Sequence, residues 1–156
     1  MEQFIELFDQ FIQQQEDELD VMEACSLCGF IVKSDAYCSI LAAQEYLDWF
    51  TAILAAYPEN ESILNCITLV ICDLVNSNVM VDITPTAFLL VNCQSEYKDT
   101  LLRCVYRILI EPQLTVPPST IGLIMEGVRM IQVTSSNCVT VLSVLYNVLS
   151  RFDGGL

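Results

Sequence analysis

Three segments of this chain carry the same phrase at nearly even spacing, and that spacing restricts the fold more than any other feature. They are Ile63-Leu64-Asn65-Cys66-Ile67, Leu101-Leu102-Arg103-Cys104-Val105 and Ser135-Ser136-Asn137-Cys138-Val139. The small residue recurs at 66, 104 and 138, so the steps are 38 and then 34 residues. Stacked units of two or three helices produce a step of that size, because each unit buries its apolar face only against the next. A second marker keeps the same period. Pro85 and Pro118 stand 33 residues apart, and each suits the opening of a helix between two of the repeated ones.

At 156 residues the chain is expected to form one all-α domain over 1–156. Hydrophobic residues make up 54% of it and charged residues only 17%, a balance that raises the question of a membrane span. The best candidate, Ile63 to Val81, is interrupted by Asn65, Asp73, Asn76 and Asn78, which a bilayer span should not tolerate. Helices buried on two faces explain the composition better. The N-terminus places Glu2, Glu6 and Asp9 where a secretory signal would be basic. Eight cysteines are therefore read as reduced and mostly buried thiols, with Cys66, Cys72, Cys104 and Cys138 in apolar runs, and the location as intracellular, cytoplasmic or nuclear.

The periodicity predicts an amphipathic helix over 2–22, with Phe4, Ile5, Phe8, Phe11, Ile12 and Leu19 on one side. A short helix follows over 20–32, and residues 1–34 together read as an N-terminal cap. A third helix is expected from Asp35, as N-cap, to Tyr57, where Pro58 stops it. The next spans about 60–76 and ends in the turn cluster Asn76-Ser77-Asn78. Residues 79–83 read as an extended connection into Thr84-Pro85, a cap and first-turn pair for a helix of about 85–93. Helices over 95–110, from Val116-Pro117-Pro118-Ser119 to about 133, and from Thr134-Ser135-Ser136-Asn137 to about 152 complete the set. Residues 153–156 read as a frayed tail.

Net charge is −14 and unevenly spread. Residues 1–97 hold sixteen acids and the single base Lys33, whereas 98–156 hold five bases and four acids. Such a surface repels phosphate backbones, so direct nucleic-acid binding is not expected. Histidine is absent, which removes the commonest general base, the usual partner of a serine or cysteine nucleophile, and most catalytic zinc sites. No glycine-rich phosphate loop occurs. The chain is accordingly read as non-enzymatic, with no cofactor and no metal. Cys25-Ser26-Leu27-Cys28 is a CxxC with Cys38 ten residues on, but a second ligand pair is missing, and two thiols on one buried helix face is the simpler reading. Asn60-Glu61-Ser62 matches a glycosylation sequon that an intracellular chain would not use.

The repeated inner helices at 60–76, 95–110 and 137–151, with shorter proline-opened helices between them, resemble the armadillo/HEAT superfamily over roughly residues 60–156. The resemblance implies a stack of about seven helices. Because an inner-helix asparagine often lines the peptide groove in that superfamily, it also implies groove roles for Asn65 and Asn137. Arg103 stands at the equivalent place in the middle unit, and the usual turn glycine is absent. The alternative architecture is a globular helical bundle, similar to Bcl-2-like domains, although no groove motif of that family occurs.

Arg103 and Arg107 are four apart, with Lys98 upstream, which puts two guanidinium groups on one helix face. They suit a carboxylate-rich or phosphorylated peptide, or else the chain's own acids. The aromatic face of Phe4, Phe8 and Phe11 is the other interaction surface, if it does not pack onto the domain. The expected function is that of an adaptor or scaffold binding another protein, as a peptide or an amphipathic helix, through Asn65, Lys98, Arg103, Arg107 and Asn137. Alternatives are a Bcl-2-like inhibitor of a signalling or cell-death partner, a lipid- or apolar-ligand-binding bundle, and a homodimer formed over apolar ends.

Overall fold

The structure, a computed structural model, describes residues 2–14, 17–34 and 36–152, with Phe4 and Phe152 as backbone only. Among these residues it is all-helical. Eight α-helices run in the order α1 (Glu2–Gln13), α2 (Glu18–Ile31), α3 (Gln44–Ala56), α4 (Glu61–Asn76), α5 (Ile83–Asn92), α6 (Ser95–Leu109), α7 (Pro118–Met130) and α8 (Cys138–Phe152). A 3-10 turn over Cys38–Ala42 precedes α3.

Local chemistry sets the helix ends. Asn60 caps α4 by accepting the Ile63 N–H at 3.0 Å. Its amide donates at the same time to Glu18 Oε1 at the start of α2. The α4 C-terminus closes in a Schellman motif: Val79 N–H reaches Leu74 O and Asn78 N–H reaches Val75 O. This needs a left-handed residue after the cap, and Asn78 supplies it with φ 61°. Pro117 and Pro118 stand at the N-cap and first position of α7, where a missing N–H costs nothing.

The structure departs from the expected elements in three places, each for a visible reason. The helix expected over 2–22 is two helices. Asp17 is an N-cap whose carboxylate accepts the Asp20 N–H at 2.9 Å, so α2 restarts there. The third helix opens as the 3-10 turn, and extended Ala43 separates that turn from α3; the N-cap expected at Asp35 lies outside the described residues, as does the tail at 153–156. Asp82 rather than Thr84 holds the N-cap position of α5. The Thr84 hydroxyl instead meets that of Thr120 on α7 at 2.9 Å.

The helices pack as two rows. In one, α4 lies on α2, α6 on α4 and α8 on α6; in the other, α5 lies on α3 and α7 on α5. Chain neighbours α3 and α4, α4 and α5, α5 and α6, and α7 and α8 join the rows. A helix in the middle of a row is covered on both flanks and from behind. That is why α4 buries Ile63, Leu64, Ile67, Val70, Ile71, Leu74 and Val75 over so wide an arc. The unusual apolar content of the chain is thus used in burial, and no helix among the described residues is long and apolar enough to cross a membrane. At the row's end α8 differs: Val141, Val144 and Val148 are buried, but nothing described covers its opposite side. At the other end, Phe8 of α1 packs on Tyr46 with ring centroids 5.3 Å apart, and the Tyr46 hydroxyl donates to Asp9.

A candidate docking face on α4, α6 and α8

The expected site residues divide into those facing solvent and those tied to the chain's own backbone. Lys98 is 7% exposed, and its ammonium donates to Leu90 O at 2.9 Å and Val91 O at 3.1 Å. It neutralises the last carbonyls of α5, which the helix leaves unpaired, and is not available to a partner. Asn137 is 6% exposed. Its Oδ1 accepts Thr134 N–H, and its amide donates to Gln132 O and to Asp99 Oδ1. It therefore fastens the α7–α8 turn to α6. Asn65 is half-buried on α4. Phe8 faces inward and Phe11 is half-buried, while the Phe4 side chain lies outside the described residues. Cys25, Cys28 and Cys38 are all buried.

Arg103 and Arg107 do face solvent. Arg107 donates to Asn76 Oδ1 at 3.2 Å and Asn78 Oδ1 at 2.9 Å, bracing the Schellman turn of α4. Arg103 donates to Thr100 Oγ1 at 3.3 Å within its own helix. Together with Asn76, Thr100 and Cys104 these two arginines line a recess of about 400 Å³ between α4 and α6. Its wall carries two permanent cations, polar acceptors and one thiol, and no carboxylate. A carboxylate or phosphate entering it would meet guanidinium donors capable of bidentate pairing.

The other edge of α6 is apolar. Tyr106, three residues from Arg103, borders a groove of about 410 Å³ with Val139, Leu142, Ser143, Tyr146 and Asn147 of α8. Val139, Leu142, Tyr146 and Leu149 are between 60% and 72% exposed. Their spacing of three, four and three residues forms a continuous ladder along the helix. Large apolar side chains grouped in this way mark interaction surfaces more often than scattered ones do. In a chain with twenty acids, α8 carries none, so nothing on this ladder opposes an approaching carboxylate. The ladder could have been found in the sequence as a second apolar stripe on α8, offset from Val141, Val144 and Val148. A stripe by itself, however, does not reveal which side a neighbour covers.

No described protein family, no curated protein and no solved structure matches this chain.

Proposed function

We propose that the protein is a non-enzymatic adaptor that holds a segment of another protein across the exposed face of α4, α6 and α8. The segment has an acidic or phosphorylated side chain for the recess and apolar side chains for the ladder, as an amphipathic helix or extended peptide would. One observation carries this reading: the cationic recess and the apolar ladder border opposite edges of the same exposed strip of α6. The burial of Lys98 and Asn137 moves the expected contacts toward Arg103, Arg107, Tyr106, Leu142 and Tyr146. The row order, with each helix lying on the one two before it, supports a repeat stack of the armadillo/HEAT kind over a closed bundle.

The test compares proteins cross-linked to wild type, Arg103→Glu and Leu142→Asp, each folded by circular dichroism, before and after phosphatase treatment of the lysate. A partner lost by both variants supports the reading, and loss on phosphatase treatment identifies phosphate as the anion. A partner retained by both overturns it. Sedimentation of the same variants detects a second copy as occupant, which would appear as a wild-type dimer dispersed by Leu142→Asp.

A further inference from the structure

Cys104 forms part of the recess wall beside Arg103 and Arg107, and its sulfur lies 3.8 Å from that of Cys72 across the α4–α6 seam. Both cysteines are free thiols. We propose that they form an oxidation-sensitive pair, in which Cys104 is the peroxide-reactive thiol of the recess and Cys72 resolves it as a disulfide.

A bordering recess, two arginines and a second sulfur at 3.8 Å meet at Cys104. The recess has room for a molecule the size of hydrogen peroxide and is lined in part by Cys104, which is itself only 3% exposed. The guanidinium groups of Arg103 and Arg107 favour the thiolate, the reactive form. The Cys104 thiol is accordingly held below its ordinary range, first by the Cys72 hydrogen bond to its anion and then by Arg107 and Arg103, with burial opposing. Cys72 is held above that range by the same hydrogen bond and by burial, so it keeps its proton. Cys25 shows the contrasting case. Burial pushes its thiol up to about 12, with neighbouring Cys66 adding to the shift. Cys28, beside it, is raised for the same first reason.

The chemistry balances with a hydroperoxide as the one co-reactant. The Cys104 thiolate attacks one peroxide oxygen, the O–O bond breaks, and hydroxide leaves, oxidising the sulfur to sulfenic acid by two electrons. The Cys72 sulfur then attacks the Cys104 sulfur. An S–S bond forms, the S–O bond breaks, and the hydroxyl leaves as water with the Cys72 proton. Sulfurs 3.8 Å apart must close to about 2.05 Å, a movement that side-chain rotation and a small helix shift can supply. The disulfide ties α4 to α6 at the recess. The inference does not rest on the docking reading, because a protein that bound nothing there would still show this chemistry.

The test is a cysteine map of the full chain. Reduced protein, freed of reductant, is treated with hydrogen peroxide, denatured, alkylated and analysed by mass spectrometry. The expected product is a Cys72–Cys104 linked peptide as the dominant disulfide, with Cys25 and Cys28 still alkylated. In Cys72→Ser, dimedone should label Cys104 at least about tenfold more than Cys25 or Cys28. A dominant disulfide through Cys66 or Cys138, or even oxidation of all eight cysteines, would overturn the proposal. The wild-type map decides it even if a variant fails to fold.

Discussion

Gly127 of α7 lies so close to Leu90 of α5 that a Cβ on it would stand 2.6 Å from Leu90 Cγ. Leu90 is fully buried, and the clashing atom is a branch point rather than a mobile tip. Gly127→Ala should therefore cost about 1–3 kcal/mol through overpacking, although alanine is the better helix former. Gly122, on the same helix, has open space at that position. Gly122→Ala should instead stabilise by about 0.5–1 kcal/mol, so opposite shifts of the urea midpoint are expected from the same substitution five residues apart.

Replacing Lys98 removes a charge-assisted contact to two α5 carbonyls, of which Leu90 O keeps only the weak Cys93 thiol contact at 3.9 Å. Lys98→Met keeps the length of the stem and should lose about 2 kcal/mol. Binding to the α4–α6–α8 face should survive in the folded fraction, as measured by anisotropy with a partner peptide once one is in hand. A loss of affinity at unchanged stability would return Lys98 to the docking site.

Arg103 and Arg107 should separate in stability. Arg103→Ala removes one intrahelical contact and should change stability by less than about 0.5 kcal/mol. Arg107→Ala frees Asn76 and Asn78 at the α4 turn and should cost about 1 kcal/mol. Asn78→Val places a β-branched residue at φ 61° and should cost about 1–2 kcal/mol, whereas Asn78→Gly should be tolerated. Urea titrations of the four variants check this order.

Alkaline pH should destabilise the protein. In the unfolded chain Cys25 titrates near its ordinary 9.0, whereas in the native state it keeps its proton to about 12. Cys28 is raised by burial as well, and Tyr46 by burial and then by its bond to Asp9. Above pH 9 the native state therefore binds more protons than the unfolded one. Stability is intact below the unfolded values and falls as pH rises toward the native ones. Each fully engaged group contributes up to about 1.4 kcal/mol per pH unit. Melting temperatures should drop between about pH 9 and pH 10.5, and Cys25→Ala should flatten the slope.

Much of the helical order follows from the sequence, because its signals are local. Asn60 caps α4, Asn76-Ser77-Asn78 ends it, and Pro117-Pro118 opens α7, each acting within a turn of its own position. The step between cysteines does not carry over as a helical register: Cys66 is the sixth residue of α4, Cys104 the tenth of α6 and Cys138 the first of α8. The break before α2 was not read from the sequence, because Asp17, its N-cap, stands among acids that fit a solvated helix face equally well.

The fate of individual polar groups was decided only by the tertiary structure. Lys98 and Arg103 read alike in sequence, yet one ends on the carbonyls of α5 and the other on the surface. Asn65 and Asn137 each precede a cysteine in the sequence, but Asn65 lies within α4, whereas Asn137 stands just before α8, where it binds Gln132 O and Asp99. Cys72 and Cys104 are 32 residues apart and meet because α4 and α6 are neighbours in one row. A helix records which of its faces are apolar. Whether a side chain there meets solvent, a carbonyl or another sulfur depends on the helix laid beside it, and only the assembled rows determine that.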